Sequence, residues 1–333
     1  MLDSFGRKIN YVRVSVTDRC DLRCDYCMPL DNQNFIKKKE ILTIQNLITI
    51  SKSLINLGIK KFRITGGEPL IRKGIRDYIE FLNSQKNKKN LEEILLTTNG
   101  TQLSNYAEFL FKNNVKRINI SLDSLDSNKF SLITNGGNLK DVLKGIKKAS
   151  DLGIKIKINT VLLKDVNDDE IINIVKWCSS NNFKLSFIEV MPIGDTLKKR
   201  KDQYLSVEFA KKIINKNFGL IKSNHKTSGP SKYFECKDIN LTVGFISPIS
   251  NHFCSTCNRL RVTSNGKIFP CLGDNGSKDL VPYLKAGQEM QLRKILSDVI
   301  FNKPEKHYFS IFFFLKNHKL FHGLNFYQQH WEI

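Results

Sequence analysis

Apolar residues along the first two thirds of the chain fall into two alternating rhythms. Short β-branched runs at Tyr11 to Val16, Lys61 to Thr65, Glu93 to Thr98, Arg117 to Leu122, Ile154 to Leu162 and Lys184 to Val190 predict strands. Between them the apolar spacing is helical. Thr43 can cap a helix that carries Leu47, Ile48, Ile50, Leu54 and Ile55 and stops at Gly58. Further helical patterns follow near Ile75 to Ser84, Tyr106 to Lys112, Leu139 to Leu152, Asp168 to Ser179 and Val207 to Asn217. Successive βα units with short connections favour parallel strands wound right-handedly, as an open sheet or a partial barrel. In either case the reactive site belongs at the carboxyl ends of the strands. Polar groups collect there: Thr17 to Met28, Gly66-Gly67-Glu68-Pro69, Asn99-Gly100, Asp123-Ser124 and Met191-Pro192. A second region with shorter strands, including Thr242 to Ile246 and Arg259 to Thr263, begins at about Ser223. The pattern therefore divides the chain into an α/β core at residues 4–222 and a carboxy-terminal region at 223–333.

A chain of 333 residues can bury a sizeable core. No stretch reaches the roughly 18 consecutive apolar residues of a membrane span. The start, Met1 to Lys8, lacks a secretory signal pattern, so a cytoplasmic protein with no membrane partner is expected. The formal charge of +21, from 53 Lys+Arg against 32 Asp+Glu, invites a polyanionic partner such as a nucleotide or a nucleic acid. Much of it is scattered lysine, as in Lys86-Asn87-Lys88-Lys89-Asn90, so placed arginines say more than the total.

Eight cysteines are too few for a disulfide scaffold in a chain of this length, and six of them fall in two local groups. Cys178 and Cys236 stand apart and read as small core hydrophobes. The first group, Cys20-x-x-x-Cys24-x-x-Cys27, lies in the loop leaving the first strand. Three thiolates can hold three irons of a cubane and leave the fourth open to a chelating small molecule. A redox dithiol at Cys24 and Cys27 would leave Cys20 unexplained, and a zinc site would need a fourth ligand from elsewhere. The second group is Cys254-x-x-Cys257 followed, after thirteen residues, by Cys271. Standing alone, it would more often be a zinc knuckle completed by His252 or another ligand. Two incomplete thiolate sets in one chain suggest two clusters, one for a cofactor and one for a substrate.

From Ser15 through Cys20, Cys24 and Cys27 to Pro29, with Gly66-Gly67-Glu68-Pro69 downstream, the sequence resembles the radical S-adenosylmethionine superfamily. The run Gly244-Phe245-Ile246-Ser247-Pro248, continuing through Phe253-Cys254 to Asn258-Arg259-Leu260-Arg261, resembles the GTP 3′,8-cyclases of molybdenum-cofactor biosynthesis. The similarity spans roughly residues 4 to 307. It implies a partial (β/α)6 barrel with a carboxy-terminal region carrying a second cluster. It also implies two [4Fe-4S] clusters, with S-adenosylmethionine on the first. A 5′-deoxyadenosyl radical would abstract the ribose 3′ hydrogen of GTP, and the ribose carbon would then join carbon 8 of guanine.

Carried over by position, the resemblance implies Cys20, Cys24 and Cys27 as ligands of the first cluster and Cys254, Cys257 and Cys271 of the second. It implies Tyr26, Gly67, Ser121 and Met191 as S-adenosylmethionine contacts, and Arg13, Arg63, Thr97, Lys157, Arg259 and Arg261 as GTP contacts. No protein acid or base is named, Arg13 being the one candidate. Arginine suits a triphosphate through two-pronged hydrogen bonding, and Arg259 and Arg261, two apart in a strand, share a face. An external electron donor and the next pathway enzyme, cyclic pyranopterin monophosphate synthase, are implied as partners, and a homodimer is compatible with the family. Members end in two glycines, whereas this chain ends Gln329-His330-Trp331-Glu332-Ile333 and carries an apolar run at Ile311 to Leu315. From that ending the sequence leads one to expect poorer coupling of cofactor cleavage to cyclisation. An RNA-modifying relative of the same superfamily, or a non-catalytic zinc- or nucleotide-binding protein, are the alternative readings. No separate RNA-binding module is visible, which disfavours a nucleic-acid substrate.

Overall fold

Six parallel strands in sequence order carry the fold, each laid beside the one before it. The computed structural model describes residues 1–28, 35–190, 202–225, 230–247, 254–271 and 276–306. Met191, His252, Phe253 and everything after residue 306, including the apolar run and the chain end, lie outside the described residues. The strands are β1 (Tyr11–Ser15), β2 (Lys61–Thr65), β3 (Glu93–Thr98), β4 (Arg117–Ser121), β5 (Lys155–Leu162) and β6 (Lys184–Glu189), within a residue or so of the runs read from the sequence. The crossovers run through α1 (Ile44–Asn56), α2 (Ile75–Asn87), α3 (Leu103–Lys112), the pair α4 (Ser127–Thr134) and α5 (Leu139–Asp151), and α6 (Ile171–Ser180). Thr43 caps α1 by accepting from the Asn46 amide at 3.1 Å, and Gly58 just beyond its end takes φ +93°, a left-handed value that glycine adopts without strain.

Strands of the carboxy-terminal region extend the same sheet at both edges. After α7 (Val207–Phe218) come β7 (Leu220–Lys222), β8 (Lys232–Cys236) and β9 (Leu241–Ile246), and β9 pairs parallel to β6. On the far side β10 (Arg259–Val262) pairs parallel to β1 and leads into β11 (Lys267–Phe269) and β12 (Lys278–Asp279) before α8 (Glu289–Phe301). The order is β12-β11-β10-β1-β2-β3-β4-β5-β6-β9-β8-β7. One cavity is lined jointly by Arg259 on β10, Tyr233 on β8 and Ile246 on β9, so the sheet curls until its two ends face a common interior.

The period-two alternation of a strand sorts the side chains. Val12, Val14, Phe62, Ile64, Ile94, Leu96, Ile118, Ile120, Ile156 and Ile158 are buried in the main apolar cluster. The alternate positions Arg13, Arg63, Thr97, Asn119, Lys157 and Asn159 are polar and equally buried, and they line the interior. The outer layer of helices thus has a dry apolar backing, and the barrel holds a polar lumen. Cys178 and Cys236 sit in the apolar cluster. Among the described residues no helix is long and apolar enough to cross a membrane.

Candidate functional site

The first cysteine group lies where β1 ends, in a loop held by its neighbours rather than by its own hydrogen bonds alone. The Cys27 and Met28 amides both donate to the Cys24 carbonyl at 2.8 Å, forming a tight turn. Arg23 and Asp25 amides donate to the Thr134 and Ile133 carbonyls at the end of α4, and the Asn135 side chain returns a bond of 2.6 Å to the Arg23 carbonyl. Beneath the loop, the Gly67 amide donates to Thr17 O and the Glu68 amide to Arg19 O, both at 2.8 Å. A Cβ on Gly67 would stand 2.1 Å from that Arg19 oxygen, so only glycine fits between the second strand's end and the cysteine loop.

Cys20, Cys24 and Cys27 line one cavity together with Tyr26, Gly66, Gly67, Thr97, Asn99, Ser121 and Asn159, with about 860 Å³ of empty space open to solvent. Burial pushes the Cys20 and Cys24 thiols up, with nearby Glu68 adding to the effect at Cys20 and Cys27 at Cys24. Asn99 donates from Nδ2 to Cys20 Sγ at 3.6 Å and to Asp21 Oδ1 at 2.7 Å. The Tyr26 hydroxyl donates to Asp123 Oδ2 at 2.6 Å, and Asp123 is pushed up to about 6 by burial. Glu68, fully enclosed, rises to about 8 because burial outweighs its three donors, the amides of Leu70 and Asn99 and the Thr98 hydroxyl.

Deeper in the barrel is a second, cation-lined cavity with Arg13, Arg63, Arg117, Lys157 and Arg259 on its walls. Arg63 donates from Nε to the Tyr11 hydroxyl at 2.5 Å and from Nη1 to Thr97 Oγ1 at 3.1 Å. Lys157 donates to the Tyr233 hydroxyl at 3.0 Å, and burial pulls its ammonium below the usual lysine range. Burial would raise the Tyr11 phenol, yet Arg63, Arg13 and Arg259 bring it net below its ordinary value. Asn159 borders both cavities, and its Oδ1 is buried with no hydrogen-bond partner among the described residues. A buried acceptor left open at the junction of two cavities is what a bound polar ligand satisfies.

The second cysteine group flanks β10. Cys254 opens a single 3-10 turn in which the Cys257 amide donates to the Cys254 carbonyl at 3.1 Å, and Cys271 follows β11. Burial raises the Cys257 thiol, but Arg259, Lys303 and Arg261 bring it net below the usual range. At Cys271 burial prevails and the thiol rises to about 11. Arg261, in register with Arg13, is drawn down to about 10 by burial and by Arg259. Among the described residues no three His, Cys, Asp or Glu side chains gather as ligands of a single ion.

The structure thus brings together Cys20, Cys24, Cys27, Tyr26, Gly67, Ser121 and Thr97 around one cavity and Arg13, Arg63, Lys157 and Arg259 around the next. Arg261 lies on the same strand face as Arg259 but outside both linings, toward the second cysteine group. Tyr11, Arg117, Asn159 and Tyr233 line the cavities but were not singled out from the sequence. Their signal is a polar residue at an inward position of a strand, visible only once the inward face is known.

Comparison with known proteins shows what the chain as a whole is similar to. The family model of the Radical SAM superfamily matches residues 14–178, and that of Molybdenum Cofactor Synthesis C matches residues 183–309. The GTP 3′,8-cyclase of Paracoccus denitrificans is 41% identical over 311 residues, covering 93% of this chain and 90% of its own. That of Erythrobacter litoralis is 42% identical over 312 residues, covering 93% of both. Among solved structures, Streptococcus suis SuiB bound to S-adenosylmethionine superposes with a TM-score of 0.59 at 18% identity. The match takes in 90% of this chain but only 64% of that protein, and the likeness is one of fold.

Proposed function

This chain belongs to the GTP 3′,8-cyclase family of the radical S-adenosylmethionine superfamily, and we propose that its two cavities divide that family's reaction into a cofactor end and a substrate end. The activity is that of a lyase acting on GTP in molybdenum-cofactor biosynthesis, giving 3′,8-cyclo-7,8-dihydro-GTP. S-adenosylmethionine and iron–sulfur clusters are its cofactors, and when bound they supply the abstraction of a hydrogen atom from an unactivated ribose carbon. The likenesses give no support to an RNA substrate or to a non-catalytic zinc protein.

Cys20, Cys24 and Cys27 hold the first cluster, and Tyr26, Gly67, Ser121 and Met191 hold S-adenosylmethionine beside it. The three sulfurs' shared cavity supports this reading for all but Met191, which lies outside the described residues. Asp123 fixes the Tyr26 ring through its hydroxyl, so the loop presents its backbone to the cofactor in one orientation. Cys254, Cys257 and Cys271 hold the second cluster. Arg13, Arg63, Lys157 and Arg259, with Arg261 on the side of the second cysteines, take the triphosphate, and Thr97 orients Arg63 for it. A buried cation set of this size is costly without an anion to offset it, and a triphosphate supplies one. We assign residues 4–222 to the radical S-adenosylmethionine core, whose Arg13, Arg63 and Lys157 also face the substrate, and residues 223–333 to a carboxy-terminal region with the second cluster and further substrate contacts. An external electron donor, product transfer to cyclic pyranopterin monophosphate synthase, a cytoplasmic location that keeps the thiolates reduced, and a homodimer complete the reading.

The observation that carries it is that a three-cysteine cavity and a cationic one share a wall at Asn159. Anaerobically reconstituted protein given S-adenosylmethionine, a reductant and labelled GTP is expected to form 5′-deoxyadenosine and the cyclised nucleotide together. Release of 5′-deoxyadenosine with GTP returned unchanged would reject the assignment of the cationic cavity.

A further inference from the structure

The two parts of the second cysteine group are separated by β10 and β11, yet both hang on one short segment after α8, residues 303–305. Arg7 makes the first connection. Its Nη1 donates to the Cys254 carbonyl at 3.0 Å and the Glu305 carbonyl at 2.9 Å, and its Nη2 to the Lys303 carbonyl at 3.1 Å and the Pro304 carbonyl at 2.7 Å. Its Nε donates to Asp3 Oδ2 at 2.5 Å, in a pair whose side chains are 8% and 0% exposed. A guanidinium has five N–H donors, and all five are used. Asp3 is itself fixed, accepting on Oδ1 from the Phe5 amide at 3.0 Å and the Arg7 amide at 2.8 Å. Lys303 makes the second connection. Only 1% exposed, it donates from Nζ to the Pro270 carbonyl, one residue before Cys271.

We propose that Arg7 and Lys303 are positioning residues that set the spacing between Cys254–Cys257 and Cys271, and with it the ability of that group to hold its cluster. The inference rests on the reading of these cysteines as ligands of the second cluster. The Lys303, Pro304 and Glu305 carbonyls lie beyond the end of α8, and the guanidinium joins them to the Cys254 carbonyl, which also accepts from the Cys257 amide in its 3-10 turn. Lysine keeps the charge at position 7 but has three donors on a single nitrogen and cannot reproduce the planar fork. The two tethers act on opposite halves of the group, so loss of either should open the same gap.

The test compares the parent with Arg7→Lys and Lys303→Met, each reconstituted anaerobically, by iron and sulfide content, by electron paramagnetic resonance with and without each ligand, and by thermal unfolding of the metal-free chains. The parent should hold roughly eight irons and each variant roughly four, the latter keeping the signal that responds to S-adenosylmethionine and losing the one that responds to GTP. A parent with only about four irons would overturn the cluster reading and this inference with it. A parent and variants that all hold about eight irons, with the GTP-dependent signal intact, would overturn the inference alone. Loss of both clusters, together with a lowered melting temperature, would also overturn it by assigning both residues to the fold at large.

Discussion

Arg259 pairs in register with Tyr11 and Arg261 with Arg13, so residues far apart in the sequence form two alternate rungs of one strand pair. The cationic residues near a triphosphate need not contribute equally, and exchanging phosphates for hydroxyls on the ligand separates their roles. Arg259→Ala should weaken GTP binding by about ten- to hundredfold while leaving guanosine binding close to that of the parent, as charge-assisted hydrogen bonds of about 1.5–3 kcal/mol imply. Equal losses for both ligands in a titration would instead mark Arg259 as part of the fold. Gly67 makes a different kind of residue-scale claim. Its missing Cβ leaves room for the Arg19 carbonyl, so Gly67→Ala should displace the loop that carries Cys20. The expected result is loss of iron from the first cluster and of 5′-deoxyadenosine formation, with the GTP-dependent signal of the second cluster retained. Iron content near the parental value with S-adenosylmethionine still bound would refute that. The cysteines, Gly67 and the paired arginines were legible because their chemistry is local: a spacing, a glycine motif, an alternation. Asn159 and Tyr233 were not, since an inward polar residue on a strand reads like any other until the curl of the sheet is known.

At the scale of elements, β-branched runs and capped helices fixed β1 to β6 and most crossovers, because strand period, helix caps and glycine stops are written in neighbouring residues. Two helices escaped that reading. In α8 the buried residues Leu292, Leu296, Val299 and Ile300 form a helical stripe. In α4 only Phe130, Ile133 and Thr134 are buried, and the stretch is too short for a clear period. What defines α4 is its cap: Asp126 accepts from the Asn128 amide at 2.9 Å and the Lys129 amide at 2.8 Å. The pairing of β9 with β6 and of β10 with β1 was also beyond the sequence, since parallel partners distant along the chain leave no local mark. Because the end of α4 holds the first cysteine loop through Ile133 and Thr134, its cap bears on the cluster. Asp126→Ala should cost about 0.5–2 kcal/mol, read from urea unfolding, and speed the loss of first-cluster iron to a chelator. Destabilisation without faster iron loss would confine α4 to a packing role.

For the whole molecule, two enclosed carboxyls have a consequence for stability that follows from their burial. Glu68 and Asp123 are enclosed, and burial raises the first from 4.5 to about 8 and the second from 3.8 to about 6. A carboxyl whose folded value lies above its unfolded one keeps its proton in the native state after the unfolded chain has released it. Between the two values the native state therefore binds more protons, and stability falls as pH rises. The contribution of Asp123 is fully present below its unfolded value and is lost as pH passes about 6; that of Glu68 is lost up to about 8. In the metal-free protein the free energy of unfolding in urea should thus decline by about 2 kcal/mol between pH 6 and pH 8, mostly through Glu68. Glu68→Gln, which keeps an acceptor oxygen for the Thr98 hydroxyl and the Leu70 amide but not for the Asn99 amide, should flatten that decline. A parent whose stability stays flat over the same interval would mean that the three donors to Glu68 offset its burial, and that a full negative charge lies beside Gly67 before any cluster is bound.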